Sequence, residues 1–230
     1  MPRFLAQKGE EEIMNFGILG TGMVGTALGT KLVSLGHAVK MGSREADNEA
    51  AAKWVKQAGK GASQGTFSDA AVFGEMVLVC LRGDVSLPVV KSVGAPKLKG
   101  KIVIDVSNPL DMSKGFPCPL LPDMVNTNSL GEEVQKLLPE SFVVKTLNTV
   151  NCEVMVNPGL VKGESDLFIS GNDAGAKKKV IEVLRSFGWK NVIDLGDIST
   201  ARGTEMLMPI WMRMYGLFGT PHFNFHIVRG

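Results

Sequence analysis

The chain has 230 residues, 44% of them apolar and 21% charged, with 25 Lys and Arg against 23 Asp and Glu for a net charge of +2. That composition is ordinary for a soluble globular protein and is long enough to bury a sizeable core. No basic run stands out, which argues against nucleic acid or an acidic membrane surface as a partner.

The first residues, MPRFLAQKGEEEI, lack the apolar centre of a signal peptide, because Glu10, Glu11 and Glu12 occupy the place where it would sit. No later apolar run approaches membrane-span length, so no membrane partner and a cytoplasmic location are expected. Met14 directly precedes the first strand-like run. Residues 1–13 therefore read as a poorly ordered leader or an alternative start. The three cysteines, Cys80, Cys118 and Cys152, are far apart and share neither a metal-ligand spacing nor a C-x-x-C pattern. They read as thiols of a reducing compartment, and no metal centre is expected.

Strand-length apolar runs then alternate with helix-length segments. A strand is expected over 15–20, a helix over 23–35 stopped by Gly36, a strand over 37–41 and a polar-faced helix over 44–58. A glycine-rich loop, GKGASQG, follows, then a short helix over 66–73 and a continuous apolar strand over 76–81. A helix over 85–93 would hold Pro88 in its first turn. A buried strand is expected over 101–106, and the following stretch, SNPLDMSKGFPCPLLPDMVNTNS, is a long loop with four prolines. Loops of that length in compact domains are usually functional. A helix over 130–138, strands over 142–147 and 166–170, a helix over 174–187 and a strand over 192–195 come next. The chain closes with a Met-rich helix over 200–218 interrupted at Pro209. This alternation predicts an α/β fold with a doubly wound parallel sheet, whose first half has the βαβαβ form of a mononucleotide-binding unit. A dinucleotide-binding domain is expected over 14–150 and a small C-terminal α+β part over 151–230.

Within the first βα turn, Gly20-Thr21-Gly22-Met23-Val24-Gly25 follows an apolar strand and opens a helix. That context is what a G-x-G-x-x-G run needs to be read as a dinucleotide fingerprint. Gly20 would permit the tight turn, Gly22 the approach of the pyrophosphate, and Gly25 close packing of helix on sheet. The pyrophosphate would meet the free N–H groups and the positive end of the helix dipole. At the end of the second strand, where NAD enzymes usually place a carboxylate, the sequence reads Lys40-Met41-Gly42-Ser43-Arg44. A carboxylate there would repel a 2′-phosphate. A hydroxyl and a guanidinium fork suit one, so NADP(H) is the expected cofactor.

The nicotinamide should lie beyond the carboxyl ends of the later strands, at Leu81-Arg82-Gly83, Val106-Ser107-Asn108-Pro109 and Leu147-Asn148-Thr149-Val150-Asn151. These offer amides, hydroxyls and apolar groups but no histidine. His37 begins the second strand, and His222 and His226 read as surface or interface groups. Lys145 and Asp105 read first as satisfied core groups and second as acid–base candidates. No catalytic residue is assigned. Hydride exchange between two stacked redox rings fits this lack of a proton donor, because it needs mainly distance, orientation and dryness. An NADP(H)-binding sensor without turnover fits it equally.

Several stretches carry a family resemblance over residues 15 to about 225. They are GILGTGMVGTALGTKL, the GSR after the second strand, IVIDVSNPL, VKTLNT, LFISGNDAGAKKKVIEVL and ISTARGTEMLMPIWMRMYG. Together they resemble the NADP oxidoreductases that depend on coenzyme F420, a deazaflavin. They also resemble the cytosolic oxidoreductase domain of mammalian metalloreductases. The resemblance implies a Rossmann fold with a small C-terminal part and a homodimer formed through C-terminal segments. It implies a small-molecule redox acceptor, a flavin or deazaflavin, as second substrate. It places Thr21, Gly22, Met23 and Val24 at the pyrophosphate and Ser43 and Arg44 at the 2′-phosphate. Leu81, Asn108, Pro109, Asn148 and Thr149 would lie at the nicotinamide pocket. The Met-rich closing helix, apolar nearly all round, is expected to be buried in core and dimer interface, and its Met and Trp faces could wall a flat ring.

Overall fold

A computed structural model describes residues 13–230. The leader expected over 1–13 thus lies, except for Ile13, outside the described residues. The first half runs β1 Asn15–Leu19, α1 Met23–Ser34, β2 Ala38–Ser43, α2 Glu49–Ala58, β3 Ala62–Thr66, α3 Phe67–Phe73, β4 Met76–Val79, α4 Gly83–Val93, α5 Ala95–Leu98 and β5 Ile102–Asp105. The second runs α6 Leu130–Leu137, β6 Phe142–Thr146, α7 Cys152–Val156, β7 Asp166–Gly171, α8 Ala174–Ser186, β8 Asn191–Asp194, α9 Ala201–Met206 and α10 Met208–Phe218. The strands form one sheet in the order β3-β2-β1-β4-β5-β6-β7-β8. The first six positions follow the Rossmann order, with the reversal between β1 and β4.

Strand periodicity sorts side chains between two helix layers. Phe16, Ile18, Met76, Leu78, Ile102 and Ile104 face a core completed by Leu28 and Leu32 of α1, Trp54 of α2, and Val180 and Leu184 of α8. Leu19, Val77, Val79 and Val103 face the opposite core, closed by Val90 and Val93 of α4 and Val134 of α6. Both faces are covered, so β4 reads as an unbroken apolar run rather than an alternating one.

Four local expectations change. The segment ASQGT is a fifth parallel strand of the first half, β3, in register with β2 from Val39↔Ala62 to Ser43↔Thr66. It is an edge strand with one buried residue, Gly65, so its composition carried no apolar signal. The second helix begins at Glu49 and not at 44, because Asn48 caps it by accepting the Ala51 N–H at 3.0 Å. Pro88 lies in the second turn of α4, since that helix already starts at Gly83. Strand β7 runs antiparallel to β6, with Val144↔Gly171 and Thr146↔Ile169, while β8 is parallel to β7. Strand direction does not show in an apolar pattern. Here it follows from the turn after β6 and from α7, a short helix the periodicity did not reveal.

Helix α8, which covers β6 and β7, is capped by Asp173, whose carboxylate accepts the Ala176 N–H at 2.7 Å. Asp173→Ala should cost about 1 kcal/mol of stability. In a chain of this size that lowers Tm by roughly 2–4 °C, as calorimetry would read it.

Candidate functional site

The loop between β1 and α1 sits at the switch point of the sheet. Gly20 has φ +125°, a conformation that L side chains rarely adopt, and a Cβ there would lie 2.4 Å from the Cys80 carbonyl oxygen. A Cβ on Gly25 would lie 2.2 Å from the Gly20 oxygen, so helix and loop touch through hydrogen atoms alone. Gly22 is the opposite case: a Cβ there would meet nothing within 4 Å. The space beside Gly22 is open, and the backbone faces it. No side chain caps α1 at Gly22, and its first turn carries no acidic residue. Helices α2, α3, α6 and α8 are capped by Asn48, Thr66, Ser129 and Asp173. The N–H groups at the start of α1, like those of α4, α9 and α10, have no side-chain cap. Thr21 and Val24 are half-buried beside the α1 start, and Met23 is 80% exposed over the cleft.

Arg44 is exposed and lines a cleft of about 320 Å³ with Thr66, Phe67, Ser68, Val85, Pro88 and Val89. One wall is the β3–α3 turn and the other is α4, so an adenosine end could lie between them with Arg44 at its rim. Ser43 is buried, and its hydroxyl donates to the Glu45 carbonyl. Ser43 does not cap α2; Asn48 does.

The other end of the site is a cavity of about 390 Å³, within the size range of small-molecule pockets. Met23, Val24, Leu81, Asn108 and Asn148 all line it, as do Arg82, Ser107 and Val150. Pro109 and Thr149 do not line it but lie buried behind the wall. Asn108 and Asn148 hold each other across the ends of β5 and β6. The Asn108 Nδ2 donates to the Asn148 carbonyl at 2.7 Å, and the Asn148 Nδ2 donates to the Asn108 Oδ1 at 2.9 Å. Asn148 also donates to the Thr204 carbonyl at 3.1 Å, which ties α9 to the strand ends. Leu147, buried beside this pair, is held at φ +63°, a costly conformation for a γ-branched residue that the paired asparagines over-determine.

The far wall comes from the proline-rich loop and the Met-rich closing helix, the two elements whose composition pointed to such a role. The proline-rich loop contributes Leu110, Met112, Phe116 and Cys118, and α10 contributes Met208, Trp211 and Met212. Cys118, Met208 and Met212 are buried against one another and join loop to helix. Cys152 also lines the cavity, and burial together with the Glu153 carboxylate pushes its thiol up, so it stays protonated and unreactive. The charged side chain on the lining is Arg82, which is paired with Asp84. The wall is otherwise amide, hydroxyl, thioether and ring.

Helix α10 is only partly buried by its own chain, which covers the core half of the expected burial. Met208 and Met212 point inward, but Ile210, Tyr215, Leu217 and Phe218 are 44%, 38%, 74% and 54% exposed. Its aromatics stack along the surface, with Trp211 5.7 Å from Tyr215 and 5.2 Å from Phe223 between ring centroids. Past Gly219 the chain is irregular and returns to β7, where the Asp166 N–H donates to the Phe225 carbonyl at 2.9 Å. His226 and Ile227 are pinned there by the Asp166 carboxylate.

Behind the strand ends lies a cluster that sequence reasoning saw only in part. Lys145 and Asp105, both considered as candidates, pair at 2.8 Å, and Glu205 joins them at 2.8 Å. Each of the three side chains is no more than 1% exposed. Glu205 was missed, although a lone carboxylate at the head of an apolar Met-rich helix is itself a signal of a buried partner. None of the three residues touches the cavity; the neighbouring Ser107 and Asn108 do.

Residues 15–109 match the family model described as NADP oxidoreductase, coenzyme F420-dependent. The chain is 32% identical over 210 residues to the F420-dependent NADP reductase of Methanocaldococcus jannaschii, covering 86% of this chain and 90% of that protein. It is 44% identical to a crystal structure from Arthrobacter sp. FB24, provisionally described as an F420-dependent NADP-reductase. The two superpose with a TM-score of 0.88 over 94% of this chain and all of that one. It is 29% identical over 205 residues to the rat metalloreductase STEAP3, of which it spans 38%.

Proposed function

The chain belongs to the family of coenzyme F420-dependent NADP oxidoreductases, and from that premise we propose that it passes hydride between NADP(H) and a flavin-like or deazaflavin ring. It is an NADP-dependent oxidoreductase; the identity of the acceptor is the open part. The single observation that carries the reading is the pairing of two sites across one switch point. An open phosphate cradle with Arg44 at its far rim lies on one side, and an apolar, nearly uncharged cavity lies on the other.

The residues present fit the dinucleotide. Gly22 leaves its face free, the α1 start is uncapped, and Arg44 stands where a carboxylate would exclude the 2′-phosphate. When bound, the nicotinamide supplies or accepts the hydride. The protein's work is then to bind, orient and dry the rings. The Asn108–Asn148 pair fixes the ends of β5 and β6 against the cavity. Met112, Phe116, Met208 and Trp211 form an apolar, adaptable wall that suits an aromatic acceptor. Among the described residues no carboxylate or histidine lines the cavity, which fits ring-to-ring hydride transfer better than carbonyl reduction, which needs a proton donor.

An acceptor panel tests this. NADPH oxidation should be seen with a flavin or deazaflavin and be absent with ketones. Turnover with ferric chelates alone would favour the metalloreductase-like reading, and NADPH binding without turnover on any acceptor would favour a sensor. The thiols of Cys80, Cys118 and Cys152 form no disulfide and support a reducing, cytoplasmic setting. Among the described residues no helix is long and apolar enough to cross a membrane.

The homodimer is part of the same proposal. The exposed row of Ile210, Leu217 and Phe218 on α10 is an apolar surface that a second copy would cover. Leu217→Asp should shift sedimentation from dimer to monomer at micromolar concentration, and a wild-type monomer would refute the dimer.

A further inference from the structure

The buried cluster of Lys145, Asp105 and Glu205 carries more charge than its packing requires. Lys145 contributes one ammonium, which donates to Asp105 at 2.8 Å, to Glu205 at 2.8 Å and to the Ser107 carbonyl at 2.6 Å. Two carboxylates face it. The Asp105 Oδ1 accepts the Ser107 N–H at 3.0 Å and the Ser107 hydroxyl at 2.5 Å. The Glu205 oxygens accept the Leu130 and Gly131 N–H groups, at 2.8 and 3.0 Å, at the start of α6. Burial, and with it the nearby Asp105 carboxylate, pushes the Glu205 carboxyl up, against the pull of Lys145 and the Leu130 N–H. Yet both of its oxygens are met by donors and neither faces an acceptor that could take a carboxyl proton, so the geometry holds it ionised. The amides of α6 offset part of one negative charge through the helix dipole. With all three groups charged the cluster carries one net negative charge, the nearby Arg202 of α9 is itself paired with Glu132 of α6, and solvent does not reach the cluster to screen it.

That residual charge is placed directly behind the cavity wall. Ser107, which touches Asp105 and Lys145, lines the cavity, and Asn108 follows it. Thr204, next to Glu205, accepts from Asn148, the partner of Asn108 in the same wall. The two redox states of a nicotinamide differ by one positive charge on the ring. We propose that the Lys145–Asp105–Glu205 cluster biases the site toward the oxidised cofactor, lowering the free energy of the cationic ring and so favouring hydride leaving NADPH. The three residues act through the field they set at the strand ends, with Glu205 as the positioning residue that supplies the excess charge. The inference rests on the reading that the nicotinamide enters this cavity.

The test is the ratio of dissociation constants for NADP+ and NADPH, measured by calorimetry without any acceptor. In the intact protein NADP+ should bind more tightly than NADPH. Glu205→Gln keeps the shape and removes the charge. It should weaken NADP+ relative to NADPH by about tenfold, within the range that Coulomb's law gives for a unit charge buried one layer behind a ring. Asp105→Asn should move the ratio the same way. Damage to packing alone would lower both affinities together and leave the ratio where it was, and that outcome overturns the proposal. Where neither variant folds, the wild-type ratio decides, and tighter binding of NADPH would overturn the proposal. Failure of the intact protein to bind either cofactor would instead refute the dinucleotide reading on which it rests.

Discussion

Gly22→Val is expected to abolish NADP(H) binding, raising the dissociation constant by more than about a hundredfold, roughly 2.7 kcal/mol, while the fold stays intact. Two features of the position separate binding from folding. The backbone at Gly22 has φ −78° and ψ −173°, which any residue adopts, and a Cβ there meets no atom within 4 Å. The valine methyls would therefore project into empty space in the unliganded protein and cost the fold little. They would also occupy the face on which a pyrophosphate must approach the free N–H groups of α1. Gly25 provides the contrast. A Cβ at Gly25 would lie 2.2 Å from the Gly20 oxygen, so Gly25→Ala should damage the loop itself and lower Tm. A folded Gly22→Val protein that still binds NADPH, by calorimetry or by cofactor fluorescence, would make the loop structural and remove the basis of the site.

Arg44→Ala should raise the NADPH dissociation constant by at least about tenfold, near 1.4 kcal/mol, and leave NADH nearly unchanged. Arg44 is exposed at the rim of the cleft between the β3–α3 turn and α4, and among the described residues no carboxylate is recorded paired with its guanidinium. Its fork is free for a bidentate contact with phosphate oxygens, which a ribose hydroxyl cannot match. The position is solvated, so the difference between NADPH and NADH should shrink as salt rises through the physiological range. An equal loss for both cofactors would mean that Arg44 shapes the cleft instead of reading the 2′-phosphate.

How much of this was legible in the chain depends on the reach of each signal. The dinucleotide loop was legible because its logic is local. Three glycines within six residues, one strand before and one helix after, already state where the backbone must turn, open and pack, and Gly20, Gly22 and Gly25 take up those three roles in order. The expectation at Ser43-Arg44 has the same local basis, since the missing carboxylate is a fact of position along one strand. The doubly wound order was legible from alternation, because helices on both faces force unbroken apolar strands.

The acceptor side was decided only in three dimensions. β3 carries no apolar pattern and becomes a strand because β2 offers it a paired edge. Strand β7 reverses direction with nothing in its composition to announce it. The composition of the Met-rich helix said that it is apolar nearly all round, but not which face meets its own chain. Met208 and Met212 found the proline-rich loop, while Leu217 and Phe218 found solvent. Glu205 lies 60 residues beyond Lys145 and 100 beyond Asp105, and each reads singly as an ordinary charge. Their meeting at 2.8 Å is a product of sheet order, which brings β5 and β6 side by side and lays α9 across their ends. Short-range sterics are written along the chain, residue by residue. The balance of buried charge and the shape of a cavity are sums over elements that only folding brings together.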